Sequence, residues 1–328
     1  MANNKERKIT SIGGSALIEG IMMRGPKRTT IAVRTGEEEI YTQDIDVKTL
    51  ASKSKFFRIP IVRGITGIVD SMRLSYKSLA IAADKALEAG EIEEEEPSKF
   101  EKWLTEKLGD NLMKVIMVIA TILGVLLAVG LFFFLPSYLY KLIAWGFPSI
   151  EGNVIFQSVF EGVLKVILFL LYIILCSRME EMKRVFMYHG AEHKTIFCYE
   201  AGEELTVENV KKQSRFHPRC GTSFLVIALL FGIILGLFVK PAPFGIAFLR
   251  PVFKILLLPL MIGFSYEVIK LCGKHDNAFT RIIAKPGLWA QRITTKEPDD
   301  KMIEVAITAM TAVIPDDGSD IISNCCDK

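Results

Sequence analysis

VIFQSVFEGVLKVILFLLYIILC, residues 154–176, decides the fold class. It carries two charges, Glu161 and Lys165, in a run otherwise dominated by large apolar side chains. A helix needs about 20 such residues to cross the hydrocarbon core of a bilayer. Working outward, residues 112–135, 222–239 and 246–269 have the same character. The last is broken by Arg250, Pro251, Lys254 and Pro259, and reads as a bent span. Hydrophobic residues make up 50% of the 328-residue chain, consistent with four transmembrane helices.

Lys and Arg gather in the connections on one side of these segments. The stretch 136–153 has only Lys141, whereas 177–221 holds Arg178, Lys183, Arg184, Lys194, Lys211, Lys212, Arg215 and Arg219. A second basic group runs from Lys270 to Lys301. The expected topology is a multi-pass protein of the cell membrane with both termini and the 177–221 loop in the cytoplasm. No secretory h-region follows Met1–Lys8. The six cysteines (176, 198, 220, 272, 325 and 326) lie on the reducing side and are expected as thiols. A net charge of +3 gives no argument for nucleic acid.

The chain divides into a cytosolic α+β region at 1–90, an acidic linker and interfacial helix at 91–111, a four-span membrane domain at 112–271 and a cytosolic segment at 272–328. The overall expectation is a mainly α protein: a four-helix transmembrane bundle with a cytosolic α+β N-terminal region and a cytosolic C-terminal helix. Ile31–Arg34 and Glu39–Thr42 read as short strands. The glycines of Gly13–Gly25 read as tight β-turns. Ile65, Ile68, Val69, Met72, Leu79, Ala83 and Leu87 recur at helical spacing, on a helix that packs on the strands or lies on the membrane. Glu297-Pro298-Asp299-Asp300 starts a helix with Met302, Val305, Ala306 and Met310 on one face. Glu161 and Lys165, one helical turn apart and ~12 Å deep in the second span at 1.5 Å per residue, read as a neutralising pair. Lys254 reads as a residue that snorkels outward.

Chemistry concentrates in Tyr188-His189-Gly190-Ala191-Glu192-His193-Lys194 and His217-Pro218-Arg219-Cys220, which hold three of the four histidines. Residues i and i+4 share a helix face, so His189 and His193 can grip one ion, with Glu192 beside them as general base. The alternative is two histidines on an amphipathic cytosolic helix. His217 and Cys220 add two ligands within one turn, or else a cap and a buried thiol. Glu267, at the cytosolic end of the fourth span, is a further candidate ligand or a boundary marker. Cys198, Glu200, His275 and Asp276 are weaker candidates, and Glu19 and Arg24 join the site only if their segment reaches the membrane surface.

The motifs Gly13-Gly14-x-Ala16-x-x-Glu19-Gly20-x-Met22-Met23-Arg24-Gly25, Tyr188–Lys194, His217–Thr222 and Glu297–Asp300 together resemble the YqhQ family of bacterial integral membrane proteins. That resemblance spans about residues 10–310 and implies a shared architecture and a metal-dependent enzyme. The expected function is a hydrolase at the cytosolic membrane face, with a divalent ion, zinc by ligand chemistry, on His189, His193 and His217, and Cys220 or Glu267 completing the set. Its substrate would be a lipid head group or a membrane-associated peptide. The competing reading is a non-enzymatic scaffold or membrane-biogenesis factor stapled by a structural metal. A transporter ranks last, because no internal repeat is evident.

Overall fold

The computed structural model describes residues 8–46, 49–50, 54–90, 112–240, 248–274 and 278–324. The acidic linker and interfacial helix expected at 91–111 lie outside these, as do His275 and Asp276. The chain forms two compact units, one of residues 1–92, 170–228 and 262–328 and the other of 93–169 and 229–261.

The first unit is built on β1 (Lys8–Thr10), β2 (Gly13–Leu17), β3 (Gly20–Arg24), β4 (Thr29–Arg34), β5 (Ile40–Asp44) and β6 (Ile321–Asn324). Strands β2 to β5 form an antiparallel sheet in sequence order, and β1 pairs with β6. Side chains alternate across a strand, so Ile21, Met23 and Ala32 enter one core while Met22, Ile31 and Val33 enter another. Every residue of β4 is buried because both faces are covered. On one face lies α1 (Val62–Glu88), contributing Leu74 and Ala82.

The remaining helices are α2 (Leu112–Val129), α3 (Leu135–Gly146), α4 (Val154–Cys176), α5 (Glu180–Glu200), α6 (Val207–Lys211), α7 (Gly221–Gly236), α8 (Leu249–Leu256), α9 (Leu258–Lys274), α10 (Ala278–Thr294) and α11 (Asp300–Val313). The other face of the sheet is covered by α5 and α11. Helix α11 begins where expected: the Asp299 carboxylate accepts the Met302 N–H at 2.8 Å, and Met302, Val305, Ala306 and Met310 are all buried. The segment read as a loop at 177–221 folds largely as α5 and α6.

The glycine motif has a different physical basis from the one expected. Gly13 and Gly14 sit inside β2, and the β2–β3 turn is made by Ile18 and Glu19, the latter with φ 49°. A Cβ on Gly14 would meet the Met22 carbonyl oxygen at 2.7 Å and the Glu192 carboxyl carbon at 3.0 Å. The missing side chain therefore permits close approach rather than a turn. Of the two placements expected for the apolar row of α1, packing on the strands is not the one observed. Met72 is 68% exposed, and the sheet receives the face bearing Leu74, Ser78 and Ala82.

The helices Val118–Gly146 and Val154–Cys176 are long and apolar enough to cross a membrane, and α8 with α9 makes a third candidate bent by 45°. Helix α7 is shorter, at 16 residues. The first helix runs on past residue 135 through a π turn at Gly130–Phe134. Pro136 follows that turn, and a wider turn relieves the clash its ring would make in a regular helix. In the second unit, α4 and α7 pack closely at Gly162, where a Cβ would overlap Ile233.

Glu161 does not rely on Lys165. Its carboxylate is paired with Lys254, lies 3.3 Å from Arg250 Nε, and accepts from Ser137 Oγ at 2.9 Å and Gln157 Nε2 at 2.8 Å. Lys254 thus turns inward instead of snorkelling, since a buried carboxylate requires a partner. Lys165 Nζ sits 4.6 Å from the centroid of the Phe133 ring.

Ile303, fully buried between the sheet and α5, tests the core. Ile303→Ala is expected to cost about 2–5 kcal/mol, read as a lowered thermal midpoint of the detergent-solubilised protein.

Candidate metal centre

Helix α5 is unusual in burying polar side chains: Glu192, His193, Lys194, Thr195 and Glu200 are all buried. Each needs a partner; Thr195 finds the Ala191 carbonyl within the helix at 2.8 Å, and the others reach different segments of the first unit. Lys194 donates to the Lys211 carbonyl at 2.9 Å and pairs with Glu297. Glu200 accepts the Thr10 N–H at 3.0 Å and pairs with Arg219. Glu192 accepts the Gly14 N–H at 3.0 Å.

His189, His193 and Cys220 converge, with one ligand atom from each lying within 4.8 Å of the others. His189 Nδ1 is 2.8 Å from the Thr294 carbonyl oxygen, and His193 Nδ1 is 2.6 Å from that of Arg215. A carbonyl only accepts, so both Nδ1 atoms carry hydrogen, and Nε2 is the atom of each ring left to bind a metal. His189 Nε2 stands 3.1 Å from Cys220 Sγ. Metal–ligand lengths of about 2.0–2.3 Å put tetrahedral ligands roughly 3.3–3.6 Å apart, so two imidazoles and a thiol gathered within 4.8 Å could close on one zinc-like ion with small adjustments.

Gly190 explains how the carbonyl reaches His189. A glycine inside a helix costs about 1 kcal/mol relative to alanine. Here a Cβ would overlap the carbonyl oxygen of Lys296, whose N–H bonds the Phe186 carbonyl at 2.8 Å. The chain after α10 therefore lies against α5 and presents Thr294 to His189. Helix α10 also holds the other ligand segment: the Gln291 amide donates to the His217 carbonyl at 2.7 Å and to Ser223 Oγ at 3.0 Å, and accepts the His217 N–H at 2.8 Å. Gln291 and Thr294 escaped the sequence reading, because a glutamine and a backbone carbonyl 70 or more residues from their partners leave no local signal.

His217 and Glu267 are placed outside the three-ligand group. His217 packs against Phe197, with ring centroids 4.6 Å apart and the planes tilted by 46°, and Nη2 of Arg219 lies 3.2 Å from its Nε2. Glu267 takes the guanidinium of Arg63, at 2.7 Å from Nε and 2.5 Å from Nη2. Cys198 is buried in the core of the first unit, and Glu19 pairs with Arg184.

The electrostatics follow from burial and proximity. Burial raises the Glu192 carboxyl above its usual range, partly offset by His193 and His189. Burial alone would lower His189, but Cys220 reverses this and takes it to about 9. Burial alone would raise Cys220, yet His189 and His193 hold it well below an ordinary thiol. Thiolate character at Cys220 is what a soft metal ligand requires.

Residues 59–316 match the family described as "Protein of unknown function (DUF1385)". The chain belongs to this family. It is 33% identical over 314 residues to "Uncharacterized protein YqhQ" of Bacillus subtilis (strain 168), covering 95% of this chain and 94% of that protein. No solved structure matches the chain. The DUF1385 match encloses α5, Cys220, Gln291 and Thr294, so the ligand group and its supports lie wholly within it.

Gly190→Ala is expected to lower stability by about 1–3 kcal/mol through overpacking. Gly124→Ala, with nothing within 4 Å of its Cβ, is expected to be neutral or slightly favourable. The comparison of their thermal midpoints checks the close approach of Lys296.

Proposed function

We propose that this chain is a metal-dependent hydrolase at the cytosolic face of the cell membrane. His189, His193 and Cys220 hold a divalent ion, zinc by donor chemistry, and Glu192 is the general base. The observation that carries this reading is the number and arrangement of donors. Among the described residues the ligand group has three members, with Glu192 outside it but close enough to feel both histidines. Three protein ligands are the pattern of catalytic zinc sites, whereas structural sites close with four. The ion would supply Lewis acidity and make water more acidic. Glu192, held by the Gly14 N–H beside both histidines, is placed to take a proton from water at the ion. The proposed substrate is a lipid head group or a membrane-associated peptide.

Membrane placement is supported by the chain's own path. Residues 1–92, 170–228 and 262–328 form one compact unit, and the four-span reading keeps its three segments on one side of a bilayer. Val118–Gly146 and Val154–Cys176 make the first out-and-back pair. The second pairs α7 with the bent α8–α9, which gives the four-span reading. At about 1.5 Å per residue, the 16 residues of α7 extend ~24 Å. This is short of the usual core and is accommodated by local thinning. The basic residues of 177–221 favour the cytoplasm for the site-bearing unit.

A second reading, a scaffold with a structural metal, is favoured by the burial of His193 and Cys220. Elemental analysis of purified full-length protein tests the shared premise: stoichiometric metal in wild type, lost in His193→Ala. A folded wild type without metal contradicts both readings. Glu192→Gln then separates them. Retained metal with lost cellular function is expected for the hydrolase, and unchanged function would favour the scaffold.

A further inference from the structure

Two helices of the first unit present apolar rows to the outside. On α1 these are Val69, Met72, Tyr76, Leu79 and Leu87, with Met72 68% and Tyr76 62% exposed. They lie on the same helical stripe, ~27 Å long at 1.5 Å per residue from Val69 to Leu87. On α10 the row is Phe279, Ile282 and Trp289, with Phe279 64% and Trp289 53% exposed. Single exposed apolar residues are ordinary, but continuous rows mark an interaction surface. Lys285 and Arg292 border the row on α10, a helix without acidic side chains, and Arg73 and Lys77 border that on α1 with Asp84 on the same line.

Both helices are fixed to the same candidate span. Helix α10 follows α9 directly in the chain. Helix α1 is pinned to α9 at its first turn, where Gly64 meets Gly263 and Tyr266 and Arg63 pairs with Glu267. Ile61 is held at φ 72°, a conformation that a β-branched residue adopts only when its surroundings impose it. Those surroundings are Gly263, where a Cβ would overlap Ile61, and Glu267, which accepts the Ile61 N–H at 3.5 Å.

We propose that α1 and α10 lie on the phospholipid surface, with their apolar rows in the interfacial layer and their basic borders against lipid phosphates. Lipid is favoured over a second copy of the chain because both helices are joined to one candidate span and the border of the α10 row carries Lys285 and Arg292 with no acidic side chain on that helix. The opposite face of α10 carries Gln291 and ends at Thr294, the residues that position the metal ligands. The same helix therefore joins the membrane surface to the site. This inference rests on the membrane reading of the spans and not on the metal.

The test uses the full chain in nanodiscs of phosphatidylcholine and phosphatidylglycerol, with or without lipids brominated high on the acyl chain. Single-tryptophan forms are made by replacing the other native tryptophans with phenylalanine. Trp145, within Val118–Gly146, reports on the span itself. Brominated lipid is expected to quench Trp145, Trp289 and a Met72→Trp form, and to leave unquenched a Thr311→Trp form, which lies on α11, across the sheet from α1. Quenching of Trp145 without quenching of the Met72→Trp form would overturn the proposal, the row then being covered by protein. If Trp145 also escapes quenching, the span reading fails and the proposal with it.

Discussion

The first unit depends on the burial of a polar helix. Helix α5 carries Glu192, His193, Lys194 and Glu200 into the interior. An unpaired buried polar or charged group costs several kcal/mol. The sheet answers through the Gly14 N–H, the segment before α7 through the Arg215 carbonyl and Arg219, and the chain after α10 through Thr294 and Glu297. Each contact joins sequence-distant segments, which is why residues 1–92, 170–228 and 262–328 condense together despite the apolar helices between them. The same requirement leaves three donors facing one point.

That arrangement accounts for glycines scattered along the chain. Gly14 admits the Glu192 carboxylate, Gly190 admits Lys296, and Gly287 admits Ser223, where a Cβ would lie 2.5 Å from the hydroxyl oxygen. None of these is a turn residue. They are places where backbone must come close for a polar group on another element to find its partner. The family's architecture and its candidate chemistry are therefore coupled through packing, and loss of any of these glycines would act on the site through geometry.

Much of the site was legible because its core is local. The spacing of His189 and His193 fixes a shared helix face, and Cys220 is a good ligand close in sequence. His217 has the same credentials, but Arg219 lies two residues away and faces its ring. Glu267 was plausible by position and is occupied by Arg63, 204 residues earlier. The same limit applies to Glu161, whose helical neighbour Lys165 yields to Lys254, 93 residues on. Periodicity located α1 and α11 well. It identified the buried face of α11, whereas the row it picked out on α1 is the outward one, because small residues such as Ser78 and Ala82 pack on the sheet while the larger apolar ones face away from it. Composition marked the apolar segments, but the continuation of the first through Pro136 depends on a π turn that hydropathy does not register.

The central claim is that His189, His193 and Cys220 together bind one ion with a further position left for a light atom. X-ray absorption spectroscopy at the metal edge of the purified protein addresses this directly. The account predicts one sulfur at about 2.3 Å and imidazole nitrogens at about 2.0–2.1 Å, with the sulfur shell lost in Cys220→Ser. A bound metal whose spectrum lacks sulfur in the wild type, or is unchanged in Cys220→Ser, would contradict it.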